Sequence, residues 1–376
     1  MKTSTLRRAV VPGVAALAVA ASLAACGSSN NSADNAGGAD GGAGNSASSG
    51  SLSGTVAGGG SSAQEKAQES WRAGFGQSNS GVTLTYDSVG SGTGQTNFIS
   101  GAYKYAGSDS AMDDATLAKA KQTCGGDPIE IPVFISPIDV AFNLKGVTSL
   151  NLDADTIAKI FTGKITKWDD PAIAALNDGV KLPSTAITPV HRSDASGTTW
   201  NFTDYLNKAA PSEWSSAANT AWPSTKGESA EGTSGVVGAV QAGDGTIAYI
   251  DDSGVQGTKL GVAKIKVGDS YVAPSADGAA NDLAASEVVS GSPETVMAYN
   301  LNRTTTDAKN YPIFMASYEI ACQSYSDANT AAIVKAFLTY ITSADGQKAA
   351  AANAYSAPLP SDVASKEATI IAKIGS

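Results

Sequence analysis

A single histidine, three scattered cysteines and a shortage of positive charge set the first limits on this chain of 376 residues. One histidine and three cysteines cannot supply a His/Cys zinc site of the usual spacing. The 25 Lys and Arg against 35 Asp and Glu leave a net charge of −10. Binding nucleic acid through phosphate neutralisation needs clustered Lys and Arg, so that class is excluded. No Walker pattern ending in Gly-Lys-Ser/Thr occurs, and nucleotide hydrolysis has no support. Beyond the N-terminus no run of eighteen apolar residues exists, nor any internal repeat or heptad. The acidity also weighs against an anionic ligand. The length fits about two domains with real cores, and no metal or cofactor is expected.

The N-terminus reads as an address. Lys2, Arg7 and Arg8 precede an apolar stretch, Val10 to Ala21, that is short for a bilayer span. It ends in Leu23-Ala24-Ala25-Cys26-Gly27. This resembles the bacterial lipobox, in which Cys26 is lipidated and becomes the mature N-terminus, with residues 1–25 removed as a signal peptide. Multiple acyl chains at Cys26 would give stable membrane anchoring. Loss of residues 1–25 removes three positive charges and no acid, so the mature chain stands at 22 − 35 = −13. Residues 26–52 follow as a tether of Gly, Ser, Asn and Ala that cannot bury surface. Its r.m.s. reach is about 25–30 Å. Outside the cytoplasm Cys124 and Cys322 can pair; two buried thiols are the alternative.

The remainder alternates strand and helix patterns. Strands are expected at Val82–Tyr86, through Ile129 to Phe142, and at 186–190, 246–250 and 313–320. Helical spacing marks 117–123, 155–161, 202–209 and, most clearly, 331–341, where Ile333, Val334, Phe337, Leu338 and Ile341 share one stripe. Interleaving of this kind implies α/β layers.

Three loops repeat one chemistry: Gly and small hydroxyl residues where a helix begins. They are Gly58 to Glu65, with Ser62 and Glu65 spaced as a capping box; Gly90-Ser91-Gly92-Thr93-Gly94; and Arg192-Ser193-Asp194-Ala195-Ser196-Gly197-Thr198-Thr199. Helix N-termini present unpaired N–H groups and partial positive charge. Glycine admits a close ligand, hydroxyls add donors, and Arg192 offers a bidentate pair. Each is a candidate oxyanion cradle, and each alone is also what a routine capped turn looks like.

At these loops the chain resembles the phosphate-binding lipoproteins that serve bacterial high-affinity phosphate ABC importers. The likeness runs from about Leu52 to the C-terminus. It is carried by Thr162-Gly-Lys-Ile-Thr-Lys-Trp-Asp-Asp-Pro171 and Val190-His-Arg-Ser-Asp-Ala-Ser-Gly-Thr-Thr199, supported by Gly107 to Ser110, Gly245 to Tyr249 and Tyr355 to Pro360. The resemblance implies a two-lobed, type II periplasmic-binding-protein fold with two crossover hinge segments, one lobe built from 53–135 and 312–376 and the other from 136–311. A Cys124–Cys322 bridge would join the two sequence halves of the first lobe. It implies phosphate in the cleft, held by Ser62, the N–H of Ala63, Ser91, Asp109, Arg192, Ser196, Gly197 and Thr198, with Asp194 orienting Arg192. The family often has Thr, Phe and Pro where Ser62, Ala63 and Gln64 stand. It implies as partners a permease and its ATPase, a monomeric state, and no catalysis.

Asp109 would be out of place in a generic anion site, because two negative charges repel. It fits a ligand that carries a proton, as phosphate does and sulfate does not, so selectivity would rest partly on repulsion. Arsenate, protonated like phosphate, stays open. The rival classes have less to stand on. His191 beside Arg192 and Asp194 suggests a phosphatase or esterase, but no Gly-x-Ser-x-Gly elbow accompanies it. Trp71, Trp168, Trp200, Trp214 and Trp222 suggest sugar stacking, yet the first, second and third sit at packing positions. Net charge governs solubility and steering rather than a local site, so the acidity implies capture by short-range dipoles.

Overall fold

The computed structural model describes residues 51–375; the expected signal peptide (1–25), Cys26 and all but the last two residues of the expected tether (26–52) lie outside the described residues. Thirteen strands occur among the described residues: β1 (Gly54–Gly60), β2 (Val82–Ser88), β3 (Tyr105–Ser108), β4 (Pro128–Asn143), β5 (Ser149–Leu152), β6 (Thr188–Arg192), β7 (Glu228–Ala230), β8 (Thr246–Asp251), β9 (Gly261–Val267), β10 (Ser270–Val272), β11 (Glu287–Val288), β12 (Tyr299–Asn300) and β13 (Phe314–Cys322). The helices are α1 (Glu65–Ser78), α2 (Ser91–Ile99), α3 (Asp114–Cys124), α4 (Ala154–Phe161), α5 (Pro171–Ala174), α6 (Gly197–Ala209), α7 (Gly232–Ala242), α8 (Asp252–Val255), α9 (Ala276–Ala284), α10 (Ala328–Ile341), α11 (Ala344–Ala354) and α12 (Ser361–Ile371).

The main sheet runs β2-β1-β3-β13-β4-β8-β6-β7, with β9 reaching β4, β5 and β10 from the side. β1 pairs in parallel with β2 and β3. β6 pairs in parallel with β7 and β8. Between these two parallel sets lie the antiparallel strands β13 and β4. β4 changes partner part-way: residues 128–137 pair with β13 and residues 138–143 with β8. Sixteen residues in one strand are enough to serve both halves of a two-lobed molecule, and this strand is a crossover between them. Fifteen of the sixteen are buried, Glu130, Ser136 and Asp139 included, so the alternation in the sequence does not mark an exposed face.

Each half has its own aromatic packing. Phe75 of α1 and Tyr105 of β3 meet Phe337 of α10 at ring separations of 5.6 and 5.3 Å. In the other half Phe161, Phe202 and Tyr249 pack at 4.9 and 4.5 Å, and Phe142 meets Trp168 at 5.4 Å. The whole α10 stripe expected from the sequence is buried. Trp71 and Trp168 are fully buried and Trp214 nearly so, so they are core rather than a sugar platform. Cys124 at the end of α3 and Cys322 at the end of β13 are disulfide-bonded, with Cα atoms 5.2 Å apart across 198 residues of sequence.

Residues 276–301 make contacts on both sides of the crossover. Ala279, Leu283 and Leu301 share a core with Ile135, Phe314, Ala316 and Tyr318. Glu130 also exchanges main-chain bonds with Thr295 and Met297. Lys208 of α6 donates to Asn300 Oδ1 and to the Leu301 carbonyl. One sequence expectation needs correction: the capping box is absent. α1 starts at Glu65 behind Gln64, with no side-chain cap. The hydroxyl of Ser62 is taken by Thr233 at the start of α7, which donates its N–H at 3.1 Å and brings Oγ1 to 3.2 Å.

Candidate functional site

Parallel strands leave their carboxyl ends and the following loops at one edge, and ligands of open α/β sheets collect there. Here two such edges face each other. Residues 61–64 follow β1, Ser91 follows β2 and Asp109 follows β3; residues 193–196 follow β6 and Asp251 ends β8. Gly60, at φ +149°, takes a conformation that side chains rarely adopt, and a Cβ there would collide with the Gly107 carbonyl on β3. The bare backbone lets the first loop lie against the third strand.

Asp109 is the centre, buried to 2 % exposure. Its Oδ2 accepts from Ser61 Oγ at 2.7 Å and from Thr198 Oγ1 at 3.3 Å; its Oδ1 accepts from Ser317 Oγ at 2.6 Å. Its N–H donates to Ser91 Oγ at 3.1 Å and its carbonyl accepts from Asn201 Nδ2 at 2.6 Å. Burial pushes its carboxyl upward, opposed by the hydroxyls of Ser317 and Ser61, the charge of Arg192 and the Thr198 hydroxyl.

Arg192 ends β6, 4 % exposed. It donates from Nε to Asp194 Oδ1 at 2.7 Å and from Nη2 to Oδ2 at 2.5 Å. Asp194 Oδ1 also accepts the N–H of Gly232 at 3.0 Å. Burial would raise the Asp194 carboxyl, but the paired bonds and charge of Arg192 hold it below the usual range. Ser196 caps α6, accepting from the Thr199 N–H at 3.2 Å. The first turn of α6 thus aims Gly197 and Thr198 at Asp109. A Cβ on Gly197 would stand 2.6 Å from Ser91 Oγ and 2.7 Å from the Asp109 Cβ.

Ser91, Asp109, Arg192, Asp194, Ser196, Gly197 and Thr198, named from the sequence, come together here. The first loop differs in detail. Ser61 supplies a hydroxyl to Asp109, and the Ala63 N–H donates to Ser61 Oγ at 3.1 Å. Ser62 faces Thr233, whose hydroxyl donates to Asp251 at 2.8 Å. Burial pushes Asp251 up to about 6, against the hydroxyls of Ser253 and Thr233. Sequence reasoning missed Ser61, Asn201, Thr233, Tyr249 and Ser317. Tyr249 holds the Arg192 N–H at 3.2 Å and the Thr199 hydroxyl at 2.7 Å. Ser317 had one available signal: a hydroxyl residue in the middle of a strand that is buried throughout.

His191 has a structural task. Its Nδ1 pairs with the Arg192 carbonyl at 3.0 Å and its ring stacks on Trp222 at 5.2 Å. Among the described residues no group of three or more His, Cys, Asp or Glu is placed to hold a metal ion, and no helix is long and apolar enough to cross a membrane.

A family model described as a PBP superfamily domain matches residues 45–345. The chain is 37% identical over 297 residues to phosphate-binding protein PstS 3 of Mycobacterium leprae (strain TN), covering 78% of this chain and 80% of that protein. It is 32% identical over 299 residues to phosphate-binding protein PstS of Pasteurella multocida (strain Pm70), covering 77% and 82%. Among solved structures it is similar to a high-affinity periplasmic phosphate-binding protein (PfluDING) bound with phosphate. That match has a TM-score of 0.69 at 25% identity and covers 85% of this chain and 93% of that one.

Proposed function

The chain belongs to the PBP superfamily and, within it, to the PstS phosphate-binding proteins, and we propose that it captures inorganic phosphate between its two lobes and delivers it to an ABC-type permease. The observation that carries this reading is the buried carboxylate of Asp109 set among hydroxyls and a helix N-terminus, beside an arginine. Ser91, Ser196 and the N-terminal turn of α6, the Thr198 N–H included, offer donors to an oxyanion. Arg192 uses Nε and Nη2 on Asp194, which leaves Nη1 for the ligand. Asp109 takes the ligand's proton as a hydrogen bond. Ser62 and Ala63 donate to the ligand after exchanging their present partners, Thr233 and Ser61.

Capture is a closure of two lobes about the crossovers. The frontier at 135/136 lies next to the partner change in β4. We put the return at about residue 275, where the chain begins to pack on β13, rather than at 312. Contacts that span the cleft include Gly92 N–H to the Ala195 carbonyl at 2.9 Å and Lys66 Nζ to the Ser253 carbonyl at 2.5 Å.

Isothermal titration of the purified protein with phosphate, arsenate and sulfate at two pH values tests the reading. Phosphate is expected to bind and sulfate to be rejected; the converse, or no phosphate binding, overturns it. The protein acts without catalysis, as a monomer, so p-nitrophenyl phosphate should remain unhydrolysed. Cys26 is the lipidation site that holds the protein on the outer face of the membrane. Mass spectrometry of the native protein should find acyl chains there and none after Cys26→Ala.

A further inference from the structure

Behind Asp109 runs a buried chain of hydrogen bonds that phosphate contact alone does not call for. Ser317 Oγ donates to Asp109 and accepts from Gln64 Nε2 at 2.7 Å. Gln64 Nε2 gives its second hydrogen to the Tyr318 carbonyl at 3.1 Å. Gln64 Oε1 accepts from Gln68 Nε2 at 2.9 Å, and Gln68 Nε2 also donates to Glu319 Oε1. Gln64, Gln68, Ser317 and Glu319 are all fully buried.

The chain has a direction. A main-chain carbonyl can only accept, so the Tyr318 oxygen fixes which end of the Gln64 amide faces it. That end is the nitrogen, which also fills a lone pair of Ser317 and turns the Ser317 hydrogen toward Asp109. Ser61 accepts the Ala63 N–H here, a bond that the ligand takes over on binding, so the lasting constraint is that on Ser317. A carboxylate offers about four acceptor positions, and Ser61, Ser317 and Thr198 take three. If Asp109 carried its own proton, it would have to find an acceptor among hydroxyls of which Ser317 is held as a donor.

We propose that Ser317 and Gln64, backed by Gln68, are positioning residues that lock Asp109 as a hydrogen-bond acceptor and thereby set the preference for an oxyanion carrying a proton. This rests on the phosphate-binding reading above. The charged and titratable groups facing Asp109 are Arg192 from β6, Asp251 from β8, Tyr86 from β2 and, through the relay, Glu319 from β13. Without the Ser317 hydrogen, Asp109 protonates at higher pH. It then presents an O–H that sulfate accepts and loses the acceptor that phosphate needs.

Titration calorimetry of wild type, Ser317→Ala and Gln64→Met with phosphate and sulfate from pH 5 to pH 8 tests this, with circular dichroism confirming the fold. In Ser317→Ala the phosphate-to-sulfate affinity ratio should fall about ten- to a hundredfold, the range of one hydrogen bond to a charged group. The pH below which phosphate binding weakens should rise. Gln64→Met should move both readouts in the same direction by less, and it decides the matter if Ser317→Ala does not fold. A variant with the wild-type ratio and pH profile, or with both affinities reduced equally, overturns the proposal. A wild type that binds no phosphate instead overturns the reading on which it rests.

Discussion

At the residue scale, two charges of opposite sign do different work. Arg192 is held by Asp194 and, on the proposed reading, would supply attraction; Asp109 is surrounded by donors and would supply discrimination. Arg192→Ala should weaken phosphate binding by about 1.5–3 kcal/mol, the value of a hydrogen bond to a charged group, with Arg192→Lys intermediate because it keeps charge but loses the fork. Calorimetry giving an unchanged affinity for the alanine variant would remove Arg192 from the site. Asp109→Asn should narrow the gap between phosphate and sulfate, since an amide can donate to sulfate and no longer repels it. Selectivity equal to wild type in competition titrations would end the repulsion argument. Both residues were legible in sequence, in Arg192 to Thr199 and in Gly107 to Ser110. Ser61 and Ser317 were not, because their importance comes from a neighbour 48 and 208 residues away.

At the scale of elements, helix α6 brings Ser196, Gly197, Thr198 and Asn201 into the cluster around Asp109. Its cap, Ser196, fixes where the first turn points, and Arg303 anchors its far side through Asp204 at 2.9 Å and Asn201 at 2.6 Å. Arg303 also donates to the carbonyls of Pro312 and Phe314, which ties α6 to the entry of β13. Gly197→Ala separates binding from folding. Alanine suits a helix better than glycine, but its methyl would occupy the space of Ser91 and Asp109. The two edges would have to move apart, so the increase in melting temperature that phosphate produces should vanish, whatever the substitution does to the ligand-free value. A normal phosphate-induced increase would show that the two edges need not approach this closely. The α10 stripe and the β4 run were readable because burial on one or both faces leaves a period in the sequence. The glycine-rich β1 was not, since its glycines make room for neighbouring strands instead of filling a core.

At the scale of the whole molecule, stability should depend on pH and on one cross-link. Burial pushes Glu130, Glu319 and Glu367 up to about 8. The unfolded chain releases these protons near the ordinary 4.5, and the folded chain keeps them until about 8. Their stabilising share is therefore complete below 4.5 and is lost progressively as pH rises through 8. Melting temperature should decline from pH 5 to pH 8 and flatten above, and Glu367→Gln should lessen the slope; a flat or rising profile contradicts the assignment. Asp194 works in the opposite sense, losing stability as pH falls through its lowered range. Removing the disulfide with Cys124→Ser and Cys322→Ser should cost about 2–5 kcal/mol. The bridge joins the end of α3 to the end of β13 and contributes no group to the ligand loops, so phosphate affinity in calorimetry should persist. A loss of affinity without a loss of stability would mean that the bridge shapes the cleft.

The amino-acid sequence by itself determined the alternation of strands and helices and the small hydroxyl residues and glycines at three helix starts, because these depend on composition and on periods of two to four residues. It also named most of the cluster through motifs short enough to be recognised whole. Tertiary structure decided what no local pattern encodes. It packed Ala279, Leu283 and Leu301 against Ile135 and β13, gave Ser62 to Thr233 instead of a helix cap, and joined Asp109 to Ser61, Ser317 and a glutamine relay. The reason is physical: a hydrogen bond is chosen by which donor and acceptor are left together when water is excluded. That is settled only once strands distant in sequence have come side by side.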